Sequence, residues 1–176
     1  MLAIVAAPQG LVEDRAVDAG GQVVQPPQPR EDRDLWGQAI ELQVASRDEA
    51  IEEQAYREFI GRRLEDFRVM FRAGRGAWYV AMYPARDEVV AACGIVVTGE
   101  RGRFQAVDTA EAYRRRGISS RLVVEAAGRA ANRGAKRFVI AAEPDYHALG
   151  LYESLGFQRV ERVAGVCRRP KTVSSA

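Results

Sequence analysis

The order of predicted helices and strands indicates an α+β fold with a mixed, mostly antiparallel central sheet. We expect about six or seven strands, with helices on both faces of the sheet. Two amphipathic helical stretches come first, between residues 34 and 72, and three strand-like stretches follow. Helix, strand, helix and strand then alternate. This order is typical of a domain built from packed layers of helix and sheet.

Composition and charge limit the classes of function. The chain has 176 residues, of which 47% are hydrophobic and 28% charged, as in an ordinary soluble domain. A net charge of +2 does not favour a nucleic-acid partner. No apolar stretch is long enough to cross a bilayer, so we expect no membrane association. Cys93 and Cys167 lie in apolar strand-like runs without metal-ligand spacing, which predicts reduced core thiols in a cytoplasmic protein.

The first 30 residues are the least readable part of the chain. Leu2–Ala6 is apolar enough for a short strand, and prolines at 26, 27 and 29 indicate a linker. We expect an N-terminal arm over residues 1–30, a single domain over 31–170 and a polar tail over 171–176. Three arrangements of the arm stay open: packing on the domain, packing on the partner in a homodimer, and disorder.

Two helices are predicted before the first strand of the domain. Trp36, Ile40 and Val44 recur every four residues, which is helical spacing. Ser46–Glu49 has the pattern of a capping box for a second helix that continues to about Arg72. The second helix is expected to bury an apolar stripe, made of Tyr56, Phe59, Ile60, Leu64, Phe67 and Phe71.

The remaining elements are predicted from the alternation of side chains along strands and from glycines that mark the ends of elements. Strands are predicted over residues 78–83, 89–98 and 103–108, and a helix from about Arg116 to Asn132. The continuously apolar run Phe138–Ala142 predicts a buried central strand. A short helix with Asp145 as its N-cap and a last strand from Phe157 to about Cys167 complete the chain.

The segment between the third strand and the following helix carries the strongest functional signal. Residues 107–120 read VDTAEAYRRRGISS. Gly117 lets backbone N–H groups approach a ligand closely, and the helix start favours phosphate through its unpaired N–H groups and its dipole. Arginines at 114, 115 and 116 add full positive charges, although cations oppose the dipole at a helix start. The segment therefore predicts a pyrophosphate-binding loop.

Two motifs extend this prediction to a family. The run RRRGIS at Arg114–Ser119 resembles the acetyl-CoA signature of the GNAT superfamily of N-acetyltransferases, Q/R-x-x-G-x-G/A. Ser119 departs from it, but serine is small, and its hydroxyl is within reach of a phosphate. The run LYESLGF at Leu151–Phe157 is similar to the family's C-terminal pattern. The resemblance spans about residues 34–168 and implies direct acetyl transfer from acetyl-CoA, without a metal, to a small-molecule or peptide amine.

The resemblance also implies how the cosubstrate is held. Strands at about Arg103–Thr109 and Arg137–Glu143 are expected to splay apart, so that the pantetheine arm pairs with exposed backbone. Backbone N–H groups between Val107 and Thr109 are expected to bind the oxyanion. Asp145 stands where relatives often have asparagine. The cofactor-binding residues implied by the resemblance are Val107, Thr109, Arg114, Arg115, Arg116, Gly117, Ile118, Ser119, Ser120, Asp145 and Tyr152.

Two residues are candidates for the chemistry. Tyr152 stands where the family stabilises the leaving thiolate, and the alternative is a packed tyrosine with a satisfied hydroxyl. Because a phenol with a pKa of ~10 is a weaker acid than a thiol with a pKa of ~8.5, we expect a hydrogen bond rather than full proton transfer. Asp108 is the candidate base, in competition with Glu100, Gln105, Glu143 and a water chain. Pairing of Asp108 with an arginine is an equal alternative.

Two other classes of function stay open. The first is a binding module that holds acetyl-CoA as a sensor or regulatory ligand without catalysis. The second is an arginine-rich nucleic-acid binder, which the modest net charge and the lack of aromatic residues interleaved among the arginines disfavour. His147, the only histidine, is interpreted as a surface or capping residue.

Overall fold

One mixed sheet of six strands separates two layers of helix. The computed structural model describes residues 2–8, 33–83, 87–143 and 148–164. In chain order the strands and helices are β1 (Leu2–Pro8), α1 (Arg33–Ala45), α2 (Glu53–Arg72), β2 (Gly76–Tyr83), β3 (Glu88–Thr98), β4 (Arg101–Thr109), α3 (Ile118–Ala131), β5 (Arg137–Ala142), α4 (Ala148–Ser154) and β6 (Gln158–Val163). A 3₁₀ turn over Glu111–Tyr113 follows β4.

The strands lie in the order β2-β3-β4-β5-β1-β6. Only β4 and β5 run parallel, and the other neighbouring pairs are antiparallel. The predicted α+β class with a mixed sheet is confirmed. β1 is inserted between β5 and β6, so the expected short strand near the N-terminus belongs to this sheet. Residues 9–32 lie outside the described part, and the division at residue 30 stays a prediction.

Each face of the sheet has its own apolar core. On one face α3 buries Leu122, Val123, Ala126, Ala127 and Ala130 against the strands, and Tyr152 and Phe157 join the same cluster. On the other face α2 buries Ile60, Leu64 and Phe67 around Trp78. Burial of apolar area at roughly 25 cal/mol per Å² is the main force that holds both layers on the sheet.

The start of α2 differs from the prediction. The helix begins at Glu53, and the Glu52 carboxylate caps it by accepting the N–H groups of Gln54 (2.8 Å) and Ala55 (2.7 Å). The predicted capping box at Ser46–Glu49 is therefore wrong. Asp48 accepts the N–H of Ala50 at 2.9 Å, which makes a local turn instead of a helix start.

The predicted apolar stripe of α2 also needs one correction. Ile60, Leu64 and Phe67 are buried, and Tyr56 and Phe71 are partly buried, as expected. Phe59, however, is 48% exposed. It lies one residue before Ile60, and a step of one residue turns the helix by about 100°. Phe59 therefore leaves the buried face.

The second half of the chain follows the predicted order. α3 begins two residues later than expected, at Ile118, because Gly117 occupies the N-cap position. β5 lies between β4 and β1 in the interior of the sheet, although its residues alternate between buried and exposed or partly buried. β6 ends at Val163, and the predicted extension of this strand to Cys167 lies outside the described residues. No described helix is long and apolar enough to cross a membrane.

Candidate functional site

The two parallel strands at the centre of the sheet separate part of the way along their length. β4 and β5 pair only at Arg101–Arg137, Gly102–Phe138 and Arg103–Val139. From Phe104 onward, the described residues of β4 have no pairing with β5. A side chain at Gly102 would lie 2.9 Å from the Phe138 ring, so glycine permits the close contact just before the strands diverge. The result is a gap lined on one side by unpaired β4 backbone.

A β-bulge lies in β4 beside this gap. On the β3 side of β4, Gly94 pairs with Gln105 and Ala92 pairs with Asp108. Two β4 residues, Ala106 and Val107, therefore face the single β3 residue Cys93. Ala106 has φ of 46°, a left-handed conformation that costs energy for a residue with a side chain. The bulge shifts the alternation of side chains in the last residues of β4, which include Asp108 and Thr109.

The turn that enters α3 has the geometry of an anion-binding loop. Gly117 has φ of 76°, which glycine adopts without a steric penalty. The first hydrogen bond of the helix runs from the N–H of Arg121 to the carbonyl of Gly117 at 3.0 Å. The N–H groups of residues 118–120 precede that bond and have no acceptor within the helix. These three donors, together with the helix dipole, suit a phosphate group.

The two hydroxyl side chains at this turn are bonded to each other. Thr109 Oγ1 and Ser119 Oγ lie 2.5 Å apart, and Thr109 is a buried polar residue. The hydrogen bond joins the end of β4 to the first turn of α3 and fixes the mouth of the loop. Ser119, the departure from the family motif, therefore has a partner within the protein. Because a hydroxyl can accept one hydrogen bond and donate another, the predicted contact of Ser119 with a phosphate stays a prediction.

The three arginines of the loop have different environments. Arg114 donates from Nε to the Thr109 carbonyl at 3.1 Å and is partly buried. Arg116 donates to the Ala112 carbonyl at 3.0 Å, and its guanidinium lies 5.3 Å from the centre of the Tyr113 ring. Arg115 is exposed and has a left-handed φ of 62°. Of the three, Arg115 makes no hydrogen bond, ion pair or ring contact with the described part of the chain.

Asp108 lies at the end of β4, on the side of α1 and α2. Its Oδ1 accepts the N–H of Thr109 at 2.8 Å, and its Oδ2 accepts Gln43 Nε2 at 3.3 Å. Burial raises the pKa of Asp108, while Ser46, the Thr109 N–H and the charge of Arg114 oppose that rise. No arginine among the described residues forms a salt bridge with Asp108. The alternative of a paired strand-end carboxylate is therefore disfavoured.

Sequence reasoning did not predict the residues that surround Asp108. Gln43 and Ser46 come from the end of α1, and Tyr56 comes from the first turn of α2. Burial raises the pKa of Tyr56, and the negative charge of Asp108 raises it further, so the phenol stays neutral. The sequence contained one signal that could have indicated Gln43, because it is a polar residue on the apolar side of α1. In the structure Gln43 is only 8% exposed.

The competing base candidates are less well placed. Glu100 precedes β4 and forms a surface ion pair with Lys136. Eight residues of strand, about 26 Å, separate it from Asp108. Gln105 has an amide, which is not basic, and Glu143 is exposed just past the end of β5. Of these four candidates, Asp108 alone combines a basic group with a position beside the loop and the helices α1 and α2.

Tyr152 lies in the core on the α3 side of the sheet. It is 5% exposed, and its ring lies 6.1 Å from that of Phe157. Phe157 in turn lies 6.2 Å from Phe104, the β4 residue at which the gap to β5 opens. Tyr152 therefore belongs to a group of aromatic rings that reaches the point where β4 and β5 diverge. Asp145 and His147 lie outside the described residues, so the implied contact of Asp145 with the cosubstrate stays a prediction.

Metal ligation receives no support from the described residues. Within them, no group of three or more histidine, cysteine, aspartate or glutamate side chains could hold a metal ion. Cys93 is a free thiol, completely buried on the α3 side, and burial raises its pKa far above the ordinary value. A thiol in that environment is a poor nucleophile and a poor metal ligand.

Comparison with known proteins agrees with the geometry. A model of the acetyltransferase (GNAT) family matches residues 36–157, and the chain belongs to that family. No curated protein sequence gives a significant match.

Solved structures show the same fold at low identity. A GCN5-related N-acetyltransferase from Sphaerobacter thermophilus is 18% identical, with a TM-score of 0.58 over 90% of this chain and 48% of its own. An aminoglycoside 6'-N-acetyltransferase from Acinetobacter haemolyticus is 18% identical, with a TM-score of 0.60 over 84% and 98%. AAC(6')-Iy, in complex with the bisubstrate analogue CoA-S-monomethyl-acetylneamine, is 16% identical, with a TM-score of 0.58 over 78% and 94%. The chain spans about half the length of the first solved structures it matches, at 57%, 48% and 53%.

Proposed function

We propose that this protein transfers an acetyl group from acetyl-CoA to the amino group of an acceptor molecule. The observation that carries the proposal is the juxtaposition at the end of β4. There the gap to β5, the partly buried carboxylate of Asp108 and the left-handed turn at Gly117 follow one another within 14 residues. The gap and the turn suit the cosubstrate, and the carboxylate suits an amine.

The residues of the loop fit the pyrophosphate of acetyl-CoA. The N–H groups of Ile118, Ser119 and Ser120 are donors at the positive end of the α3 dipole. Arg115 is exposed beside them and would supply a full charge. Arg114 and Arg116 are held by backbone carbonyls, so their main contribution is a positive field around the loop. AAC(6')-Iy, with the same fold, is the relative in complex with a CoA analogue.

The β4 bulge fits the remaining part of the cosubstrate. Unpaired β4 backbone beyond Arg103 can pair with the amides of the pantetheine arm, as an added strand would. The N–H of Thr109 already donates to Asp108, so the oxyanion donor is better sought at the bulge, near Val107.

The transfer requires one bond to form and one to break. The amine nitrogen bonds to the carbonyl carbon, and the carbon–sulfur bond breaks with its electron pair leaving on sulfur. An acceptor that arrives as an ammonium must lose one proton before it can attack, and Asp108 accepts this proton and passes it to solvent. After the attack the nitrogen carries one excess proton, which the departing thiolate or solvent takes. Gln43 and the Thr109 N–H hold both carboxylate oxygens in place for the first of these proton transfers.

A second candidate function is supported by one observation. Tyr152, expected to stabilise the departing sulfur, is 5% exposed and packs against Phe157. If the tyrosine stays buried when acetyl-CoA is bound, the thiolate loses that stabilisation. A domain that binds acetyl-CoA as a sensor and does not transfer the acetyl group is the alternative.

Tyr152→Phe distinguishes the two functions. The change removes one hydroxyl and keeps the ring, so the packing against Phe157 should be preserved. If the hydroxyl stabilises the leaving thiolate, the kcat for thiol release falls about 10²-fold while the Kd for acetyl-CoA stays unchanged. Equal rates in both proteins would remove Tyr152 from the mechanism. Tight binding of acetyl-CoA by the wild type without thiol release for any amine would favour the sensor.

A further inference from the structure

Two aromatic side chains of α2 lie on the side of the sheet to which Asp108 belongs. Tyr56 is close enough to Asp108 for the carboxylate charge to influence its phenol. Its ring lies 6.2 Å from that of Phe59, one helical turn further along α2. Phe59 is 48% exposed. An aromatic side chain left exposed next to a functional group marks a surface suited to an apolar ligand.

The charges around this surface are largely neutralised within the protein. Arg57, next to Tyr56 on α2, forms ion pairs with both Glu41 of α1 and Glu53 of α2. Glu53 also pairs with Arg47 at 3.0 Å. Glu52 is used as the cap of α2. Asp108, by contrast, accepts hydrogen bonds from an amide and a backbone N–H, and it forms no salt bridge among the described residues, although the charge of Arg114 acts on it.

We infer that the acceptor is a small primary amine with a single positive charge, carried on an aromatic or aliphatic body. Its amino group would lie at Asp108, and its apolar part would lie against Tyr56 and Phe59. The inference rests on the proposed function and adds the chemical class of the acceptor. A molecule with several ammonium groups, such as an aminoglycoside, would have to place part of its charge against the rings of Tyr56 and Phe59, which offer no hydrogen-bond acceptor for a buried ammonium at Phe59 and only one phenol at Tyr56.

Three acceptors test this specificity with the full chain and acetyl-CoA. They are 2-phenylethylamine, ethylamine and kanamycin, which differ in apolar area and in charge. Burial of a phenyl ring against Tyr56 and Phe59 should make kcat/KM for 2-phenylethylamine about tenfold higher than for ethylamine. Kanamycin should be the poorest of the three. Equal kcat/KM for the two monoamines, or preference for kanamycin, would overturn the inference.

Substitution of Phe59 locates the apolar subsite. Phe59→Ala should raise the KM for 2-phenylethylamine severalfold and reduce its advantage over ethylamine, whereas Phe59→Leu should retain most of that advantage. Both changes are at an exposed position, so the fold should persist. Val69→Ala is the matched control, since Val69 is a 57% exposed apolar residue in the last turn of the same helix, away from Tyr56. An unchanged preference in Phe59→Ala would remove α2 from the acceptor site.

A binding measurement separates this inference from the proposed function. Saturation-transfer NMR reports 2-phenylethylamine bound to the protein without any turnover. If no amine releases thiol, the proposed transfer fails, and the NMR signal still decides whether the aromatic surface binds this amine. Loss of the signal in Phe59→Ala and its retention in Val69→Ala would support the site. No signal in the wild type, in the presence or absence of CoA, would contradict it.

Discussion

The proposed role of Asp108 as the base has a cost for the fold. Its carboxylate is partly buried at the end of β4, and burial raises its pKa. A raised pKa makes the carboxylate a better proton acceptor at neutral pH. The hydrogen bonds from Gln43 and the Thr109 N–H reduce the free-energy cost of burying the negative charge, but they do not remove that cost.

The sign of the stability effect follows from linkage. A carboxyl group with a raised folded-state pKa contributes stability below its unfolded pKa, and that contribution is lost as the pH rises through the folded pKa. At neutral pH the ionised Asp108 therefore opposes folding. The opposite holds for Glu100, a surface carboxylate that forms an ion pair with Lys136. Its pKa is lowered by this partner.

Asp108→Asn is expected to separate stability from activity. The kcat/KM for the amine should fall by about 10²–10⁴-fold, because the amide cannot accept the proton. In the wild type, activity should decline as the pH falls through the raised pKa of Asp108, and this acidic limb should be missing in the variant. The Tm at neutral pH should stay equal or rise.

The matched control for this variant is Asp66→Asn, an exposed aspartate on α2. It should leave both the pH profile of activity and the Tm unchanged. If Asp108→Asn keeps the acidic limb of the wild type, another group is the base. If it lowers the Tm strongly, the carboxylate is structural.

The surroundings of Asp108 show the limit of sequence reasoning at the residue scale. Asp108 itself was a candidate because it directly precedes the loop. Gln43 is 65 residues away in sequence, and Tyr56 belongs to another helix. Their contact with Asp108 depends on how α1 and α2 pack on the sheet, which no local pattern encodes. The arginine partner considered for Asp108 rested on equally local reasoning. The fold provides an amide as hydrogen-bond donor, and Arg114 acts on Asp108 through its charge without a salt bridge.

At the scale of elements, local patterns predicted the turn between β4 and α3 well and the start of α2 poorly, while phosphate binding at this turn stays a prediction. The loop depends on one glycine at a strand-to-helix turn, and Gly117 has the expected left-handed conformation. The start of α2 depended on a choice between several acidic residues. The Asp48 side chain binds the Ala50 N–H in a local turn, and this turn competes with helix capping. The helix therefore begins four residues after Glu49, at Glu53.

Glu52→Ala tests the corrected cap. Its two hydrogen bonds to the N–H groups of Gln54 and Ala55 lower the pKa of Glu52, so its stabilising effect is present at neutral pH and is lost as the pH falls through that lowered value. The difference in Tm between the wild type and the variant should be larger at neutral pH than at strongly acidic pH. Glu49→Ala, which removes the acidic residue of the predicted capping box, should leave the Tm unchanged. A larger loss in Glu49→Ala would restore the original prediction.

At the scale of the whole molecule, acetyl-CoA should act as a fold-stabilising ligand. It would join β4, β5 and the start of α3, which are otherwise separated by the gap. Binding to the folded state alone adds about 2.7 kcal/mol of stability at a concentration 100 times the Kd. Two observations point to this ligand, namely the match to the acetyltransferase (GNAT) family and the divergence of the parallel strands β4 and β5. Both are properties of the whole domain and not of single residues.

Arg115→Ala should weaken this stabilisation. Loss of one charge from the phosphate site should raise the Kd for acetyl-CoA about tenfold, while the Tm without ligand changes little at an exposed position. The control is Arg75→Ala, an exposed arginine in the turn between α2 and β2. Thermal unfolding with and without acetyl-CoA measures both effects. An unchanged ligand shift in Arg115→Ala would leave the pyrophosphate to the backbone N–H groups alone.

The most direct test of the account is detection of the transferred acetyl group. The purified chain is incubated with acetyl-CoA and 2-phenylethylamine, and mass spectrometry and thiol release are followed together. Wild-type protein should form N-acetylated amine and free CoA thiol in equal amounts, and Asp108→Asn should form both far more slowly. Release of thiol without acetylated amine, or no product with any amine despite an acetyl-CoA-dependent rise in Tm, would contradict the proposed acetyl transfer.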